Sequence, residues 1–148
     1  MSALRLATLE DLDRLTHLVS GFHAESGIDQ DEATRHDALV PLLQGSPHGA
    51  IWMIGPRSAP VGYIAVSFGW SIEFGGLDAF VDEFYVRERV RGRGMGSEAM
   101  MALARALAGQ GIKAMNLEVD TDNQRARTLY ERIGFSSRDR YHLMARIL

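Results

Sequence analysis

Residues 89–100 read RVRGRGMGSEAM, and the first eight of them hold three arginines (Arg89, Arg91, Arg93) and three glycines (Gly92, Gly94, Gly96). Glycine at every second position forfeits helix and strand propensity alike, so such a stretch serves something other than local stability. The residues before it alternate like a strand, from Ala79 to Val86, and those after it are helical to about Ala108. Beyond Gly109 and Gly111 comes a strand, Ala114 to Val119, with Met115, Leu117 and Val119 on one side, and then a helix from Asn123 to Ile133 that Gly134 ends. This strand, glycine loop, helix, strand order is a β-α-β crossover, which places its two strands parallel.

Working backwards, the chain changes character. Val61–Phe74 and Ala50–Ile54 are rich in β-branched and aromatic residues and are separated by the turn GPRSAP, while Gly75-Gly76 marks the next turn. They predict an antiparallel meander. A helix through Asp31–Leu43 carries Leu39, Leu42 and Leu43, with Pro41 leaving its end open. Before it, Leu9, Leu12, Leu15, Leu18 and Phe22 recur at helical spacing behind a capping box of Thr8 and Asp11, after a short strand at Ala3–Ala7. A final alternating segment, Tyr141–Ile147, predicts one more strand. The expectation is a single α/β domain, residues 1–148, antiparallel in its first half, with no repeat or linker.

Composition removes several classes of function. No cysteine is present, which excludes thiolate nucleophiles and disulfides and leaves the common structural zinc sites without their ligands. The five histidines (His17, His23, His36, His48, His142) show no metal spacing and are expected in scattered surface or core roles; no metal is expected. A net charge of -3 argues against general nucleic-acid binding. The uncharged run Ser58–Ile72 is shorter than the roughly 20 apolar residues of a membrane span, and the N-terminus lacks a signal-peptide pattern, so the expected location is the cytoplasm. Gly69-Trp70-Ser71 begins like a nucleophile elbow, but Glu73 stands where its last glycine belongs.

The glycine loop admits several readings. A plain strand-to-helix turn is one. A dinucleotide fingerprint would need glycine at Ser97, and a Walker loop would need a following Gly-Lys-Ser/Thr. A pyrophosphate cradle needs small residues, so that backbone N–H groups converge at a helix N-terminus, with positive charge nearby. Arg87, Arg89, Arg91 and Arg93 supply that charge in the densest basic run of the chain. A structural turn has no use for it.

At these residues the chain resembles a family. Val86 followed by Arg91-Gly92-x-Gly94-x-Gly96 is similar to the acyl-CoA-binding signature of the GNAT superfamily of N-acetyltransferases, (Q/R)-x-x-G-x-(G/A) after a strand. The stretch DNQRARTLYERIGF, with Asn123, Ala126, Tyr130, Gly134 and Phe135, resembles that family's second block. Many members have proline at Glu88 and an aromatic at Val90. The resemblance implies a mixed, mostly antiparallel sheet with helices on both faces and the parallel crossover at the acyl-CoA site. It also implies acetyl-CoA as co-substrate. Main-chain groups of Arg91, Gly92, Arg93, Gly94, Met95, Gly96 and Ser97 would hold its pyrophosphate. Val86 would lie along the pantetheine arm, Asn123 would contact the same arm, and Ala126 and Tyr130 would also bind the co-substrate. A backbone N–H near Phe84 or Tyr85 would polarise the thioester carbonyl.

The chemistry needs a neutral amine, and an alkylamine is neutral only about one part in 10^3 to 10^4 at pH 7. Asp82 and Glu83 lead into the loop on alternate faces of the strand; either is a candidate base, directly or through water, and while some resemblance to diamine acetyltransferases does not settle the choice, Glu83 ranks slightly ahead because in the family a carboxylate at the centre of this strand often serves as the relay. Tyr130 matches the family's general acid, protonated at neutral pH and able to donate to a departing thiolate. Between Arg57 and Arg87 there is no basic residue, while Glu73, Asp78, Asp82 and Glu83 lie there. That asymmetry points to a small cationic amine as acceptor, and with no cysteine to carry an acetyl group the expected course is direct attack in a ternary complex. A non-catalytic acyl-CoA-binding regulatory module is the alternative, and an exposed sheet edge suggests a homodimer.

Overall fold

The structure, a computed structural model, describes residues 4–148. Ala3, the first residue of the expected opening strand, lies outside them; that strand runs Leu4–Leu6 (β1). The chain divides into two compact units, one ending at Glu118 and the other Val119–Leu148.

In the first unit the order is β1, α1 (Leu12–Ser26), α2 (Glu32–Leu43), β2 (Gly49–Ile54), β3 (Gly62–Ser71), β4 (Gly76–Val86), α3 (Met95–Gly109) and β5 (Ala114–Leu117). The five strands lie in sequence order, antiparallel from β1 to β4 and parallel between β4 and β5. The crossover through α3 enforces that parallel pair. The result is the expected mixed, mostly antiparallel sheet with helices on both faces.

Thr8 and Asp11 do start the first helical segment. The Thr8 N–H donates to Asp11 Oδ2 (2.9 Å), and a 3-10 turn at Leu9–Asp11 leads into α1. Asp11 does more: Arg5 on β1 donates to both of its oxygens at 2.9 and 2.7 Å, tying the first strand to the first helix. Asp31 caps α2 by accepting from the Thr34 N–H (2.7 Å). Pro41 does not stop this helix, which runs two residues further to Leu43. At the end of α3, Gly111 takes a positive φ of 86°, its N–H donates to Ala108 O, and the Ile112 N–H donates to Leu107 O. Those two bonds are a Schellman closure that needs a residue without Cβ strain.

The α1–α2 face of the sheet holds one core: Leu15, Leu18 and Val19 from α1, Leu39 and Leu43 from α2, and Ile51, Met53, Tyr63 and Ala65 from the strands. Ala99, Met100, Leu103 and Leu107 of α3 are buried as well. Two glycines show the faces of β4. A Cβ on Gly21 of α1 would meet the Tyr85 hydroxyl at 2.9 Å, while one on Gly96 of α3 would meet the Phe84 ring at 3.0 Å. Adjacent residues of β4 thus face opposite helices.

In the second unit, α4 (Gln124–Arg132) is closed at both ends by residues of its own motif. Asn123 Oδ1 accepts from the Ala126 N–H (3.1 Å). At the other end Gly134 has φ of 109°, its N–H donates to Glu131 O, and the Phe135 N–H donates to Tyr130 O. The Tyr130 and Phe135 rings meet edge to face at 5.9 Å, the apolar contact that accompanies a Schellman closure. The strand expected at Tyr141–Ile147 is absent: no strand comes after α4 among the described residues, and Tyr141, Leu143, Met144 and Ile147 are exposed. Alternation makes a segment compatible with a sheet edge, but a strand exists only where a ladder partner is present.

Candidate functional site

The site is built where β4 parts from β5. Their parallel register runs Asp78↔Ala114 to Val81↔Leu117 and stops there. On the other side of β4, pairing with β3 continues to Val86, but a bulge interrupts it: Val81 pairs with Val66, Glu83 with Ala65, and Asp82 has no partner. A bulge inserts one residue and changes the phase of alternation. Val81 is therefore buried against one face, whereas Glu83, two residues on, turns to the face carrying α1.

Glu83 is held there by two side chains. His23 Nε2 lies 2.7 Å from Glu83 Oε2, and the Tyr63 hydroxyl donates to Glu83 Oε1 at 2.7 Å. His23 is 4% exposed and Tyr63 fully buried. Burial raises the Tyr63 pKa, with the Glu83 charge and hydrogen bond adding to it, so the hydroxyl keeps its proton. Asp82 differs. It is exposed, and its carboxylate makes no side-chain hydrogen bond among the described residues. The protein packed about it still desolvates its carboxyl and raises its pKa, the neighbouring Glu83 charge adds to the rise, and a protonated His23 would oppose it.

Val86 ends β4 and the glycine loop begins. Gly92 and Gly94 have φ of 80° and 78°, a left-handed conformation that glycine alone adopts without strain. They turn the chain so that α3 starts at Met95. Its first ladder bond runs from the Glu98 N–H to Gly94 O, so the N–H groups of Met95, Gly96 and Ser97 precede the ladder. These donors, at the positive end of a 15-residue helix, suit an anion. Gly96 lets the helix approach β4 closely, against Phe84 and Val86.

The arginines divide their work. Arg91 Nε donates to Val86 O (2.7 Å), its Nη2 pairs with the Glu25 carboxylate (2.8 Å), and its guanidinium lies 5.5 Å from the Tyr85 ring centre. It anchors the loop to β4 and α1. Arg87, Arg89 and Arg93 are exposed and have no ion pair among the described residues. Burial and the Glu25 carboxylate raise the Tyr85 pKa, while Arg91 works against them.

Within the second unit, Tyr130 is half-buried on α4, and burial raises its pKa. It is therefore protonated at neutral pH. Asn123 spends its Oδ1 on capping, and Ala126 supplies the capped N–H. Half of the second motif is thus helix punctuation.

Sequence reasoning did not single out His23, Tyr63 or Glu25. A signal for His23 existed: it falls four residues after Val19 and eight after Leu15, on the buried stripe of α1, where a polar residue needs a partner. Nothing in the sequence names that partner. A hollow of about 490 Å³ lined by Asp13, Arg14, His17 and Arg87 among others includes neither β4 carboxylate nor the glycine loop. Among the described residues no group of three or more metal-ligating side chains is present.

A model of the acetyltransferase (GNAT) family matches residues 12–135, which include both motifs. The chain belongs to the GNAT acetyltransferase family. It is 32% identical over 104 residues, 68% of its length, to the uncharacterized N-acetyltransferase YycN of Bacillus subtilis (strain 168). That match spans 64% of the relative's own length. Among solved structures it is similar to the integron cassette protein HFX_CASS3 from the mobile metagenome of Cole Harbour Salt Marsh, at 32% identity and a TM-score of 0.86, covering 99% of this chain and 91% of that one. A proposed acetyltransferase from Arthrobacter sp. FB24 superposes at a TM-score of 0.78 with 27% identity, covering 92% and 86%. GNAT proteins generally use acetyl-CoA.

Proposed function

We propose that this GNAT protein transfers an acetyl group from acetyl-CoA to the primary amine of a small cationic acceptor, by direct attack in a ternary complex. The observation that carries the reading is the fork: β4 loses β5 after Val81, exposing an edge that runs from Asp82 to Val86 straight into a helix start with free N–H donors. The residues fit the co-substrate. A diphosphate suits the amides of residues 92–97 and the exposed Arg89 and Arg93, and Gly96 keeps that helix start close to Val86, along which the pantetheine arm would run.

Acetyl-CoA supplies an acyl group activated as a thioester. The chain's residues do the rest. The open edge offers main-chain groups near Phe84 and Tyr85 to a carbonyl oxygen. The carboxylates of Asp82 and Glu83 are the candidates to meet the ammonium group, and Tyr130, which its motif marks as the general acid, keeps its proton at neutral pH. With no cysteine in the chain to carry the acetyl group, attack by the amine itself is the simplest course. The family match runs across both compact units, which supports one functional domain over residues 1–148. We extend the reading to a homodimer acting in the cytoplasm on a small molecule; β1 and β5 stand at the two ends of the strand order, each with one strand neighbour among the described residues, and none of the described helices is long and apolar enough to cross a membrane.

The test is calorimetry with coenzyme A, followed by release of free CoA thiol from acetyl-CoA across a panel of cationic, neutral and anionic amines. Binding with turnover on cationic amines is expected. Binding without turnover on any amine would make the chain a regulatory module, and turnover confined to neutral or anionic amines would overturn the acceptor class.

A further inference from the structure

Of the two carboxylates at the fork, Glu83 has both oxygens engaged and Asp82 has neither. The donors on Glu83 are well defined. A carboxylate oxygen only accepts, so the hydrogen between Glu83 and His23 sits on Nε2. His23 Nδ1 is buried with no partner, and a lone pair there costs less than an orphaned N–H. The Tyr63 hydroxyl, fully buried among Phe22 and Tyr85, points its proton at the other oxygen. Two side chains from two elements, α1 and β3, thus spend their donors on one acid. A carboxylate held by two donors is fixed in place as an acceptor, with lone pairs left for a cation. Asp82 sits at the bulge, on the residue just after the last β4–β5 pair, unbonded and exposed.

We propose that His23 and Tyr63 are positioning residues that hold Glu83 as the carboxylate binding the ammonium group of the acceptor, leaving Asp82 to take its proton. This rests on the acetyltransferase reading. In the step, the amine nitrogen bonds to the acyl carbon as the C–S bond breaks. One ammonium proton passes to Asp82 and on to solvent, and the thiolate gains the other equivalent as it leaves as a thiol. The elevated pKa of Asp82 agrees with a base, because it brings proton affinity nearer to working pH.

The two roles separate kinetically. With butane-1,4-diamine as the probe acceptor, His23→Leu and Tyr63→Phe are expected to raise KM for the amine about 10-fold while kcat changes little, since one charge-assisted bond on the binding carboxylate is lost. His23→Gln keeps an N–H donor and should restore KM. Asp82→Asn should lower kcat about 100-fold with KM for the amine nearly unchanged, the usual scale for a general base. Nitrogen-15 spectra of the imidazole in the full chain report the tautomer without turnover: the proton is expected on Nε2 of His23. A proton on Nδ1, an unchanged KM in His23→Leu, or full kcat in Asp82→Asn each overturns the proposal. Absence of coenzyme A binding in the wild-type chain would instead overturn the acetyltransferase reading, while coenzyme A binding without turnover of the diamine would overturn this inference alone.

Discussion

Gly96→Ala tests whether the approach of α3 to β4 sets the cradle. The new methyl carbon would stand 3.0 Å from Phe84 Cζ and 3.4 Å from Val86 Cγ2. Carbon atoms rest at about 3.5–4.0 Å, so the helix start or the ring must yield by roughly 0.5–1 Å. Crowding of that kind costs about 1–3 kcal/mol, and the better helix propensity of alanine offsets about 1 kcal/mol. The net destabilisation is therefore about 0–2 kcal/mol, a fall of a few degrees in Tm. Binding should suffer more. Hydrogen bonds to a charged group contribute about 1.5–3 kcal/mol each, and a half-ångström displacement of the amides forfeits about one of them. Calorimetry should then show coenzyme A affinity reduced about 10- to 100-fold. Gly109→Ala is the control, because it lies at the other end of α3 with nothing within 4 Å of the added carbon. It should leave coenzyme A affinity as it is and not lower Tm. If Gly96→Ala is folded and binds coenzyme A within about twofold of the wild type, the close contact does not align the amides and the reasoning fails.

Three further outcomes rest on particular contacts. Asp11→Asn should destabilise the protein by about 2 kcal/mol, since it leaves Arg5 without its charge partner. The hydrogen bonds from Arg5 hold the Asp11 pKa below its ordinary 3.8, so that stabilisation is complete above pH 3.8 and fades as pH falls through the lower folded value. Melting curves of wild type and variant should thus converge in acid, and a constant gap would refute the assignment. Tyr130→Phe should slow turnover several-fold or more with coenzyme A affinity intact, and the alkaline fall in wild-type rate should lie above 10.0, because burial raises the Tyr130 pKa. A fully active phenylalanine variant removes Tyr130 from the reaction. Gly62→Ala would drive its methyl into the Tyr85 backbone carbonyl, so a loss of about 3 kcal/mol or more is expected, and an unaltered Tm would show that β3 and β4 can separate there.

Local chemistry made much of this protein legible in advance. The capping box at Thr8, the glycines at 92, 94, 111 and 134, and the apolar spacing of α1 each act within a few residues, where sequence separation and spatial separation coincide. The crossover order likewise forces β4 and β5 parallel, because a connection through a helix admits little else. The strand expected at Tyr141–Ile147 shows the limit of this logic, since alternation records fitness for an edge and not the presence of one. The same limit governs the site. Asp82 and Glu83 are adjacent in the chain and alike in chemistry, so the sequence offered both as candidate bases, Glu83 slightly ahead, and named no partner for either.

Tertiary structure gave the two different surroundings. A bulge opposite Ala65 and Val66 shifted the phase of β4, and only then did Glu83 turn toward a histidine 60 residues away in sequence. Register slips and long-range hydrogen bonds are settled by how whole elements pack, where a single extra residue reverses every side chain beyond it. The two carboxylates were thus legible in the chain, while the hydrogen bonds that set Glu83 apart from Asp82 arose from the packing of α1 against β3 and β4.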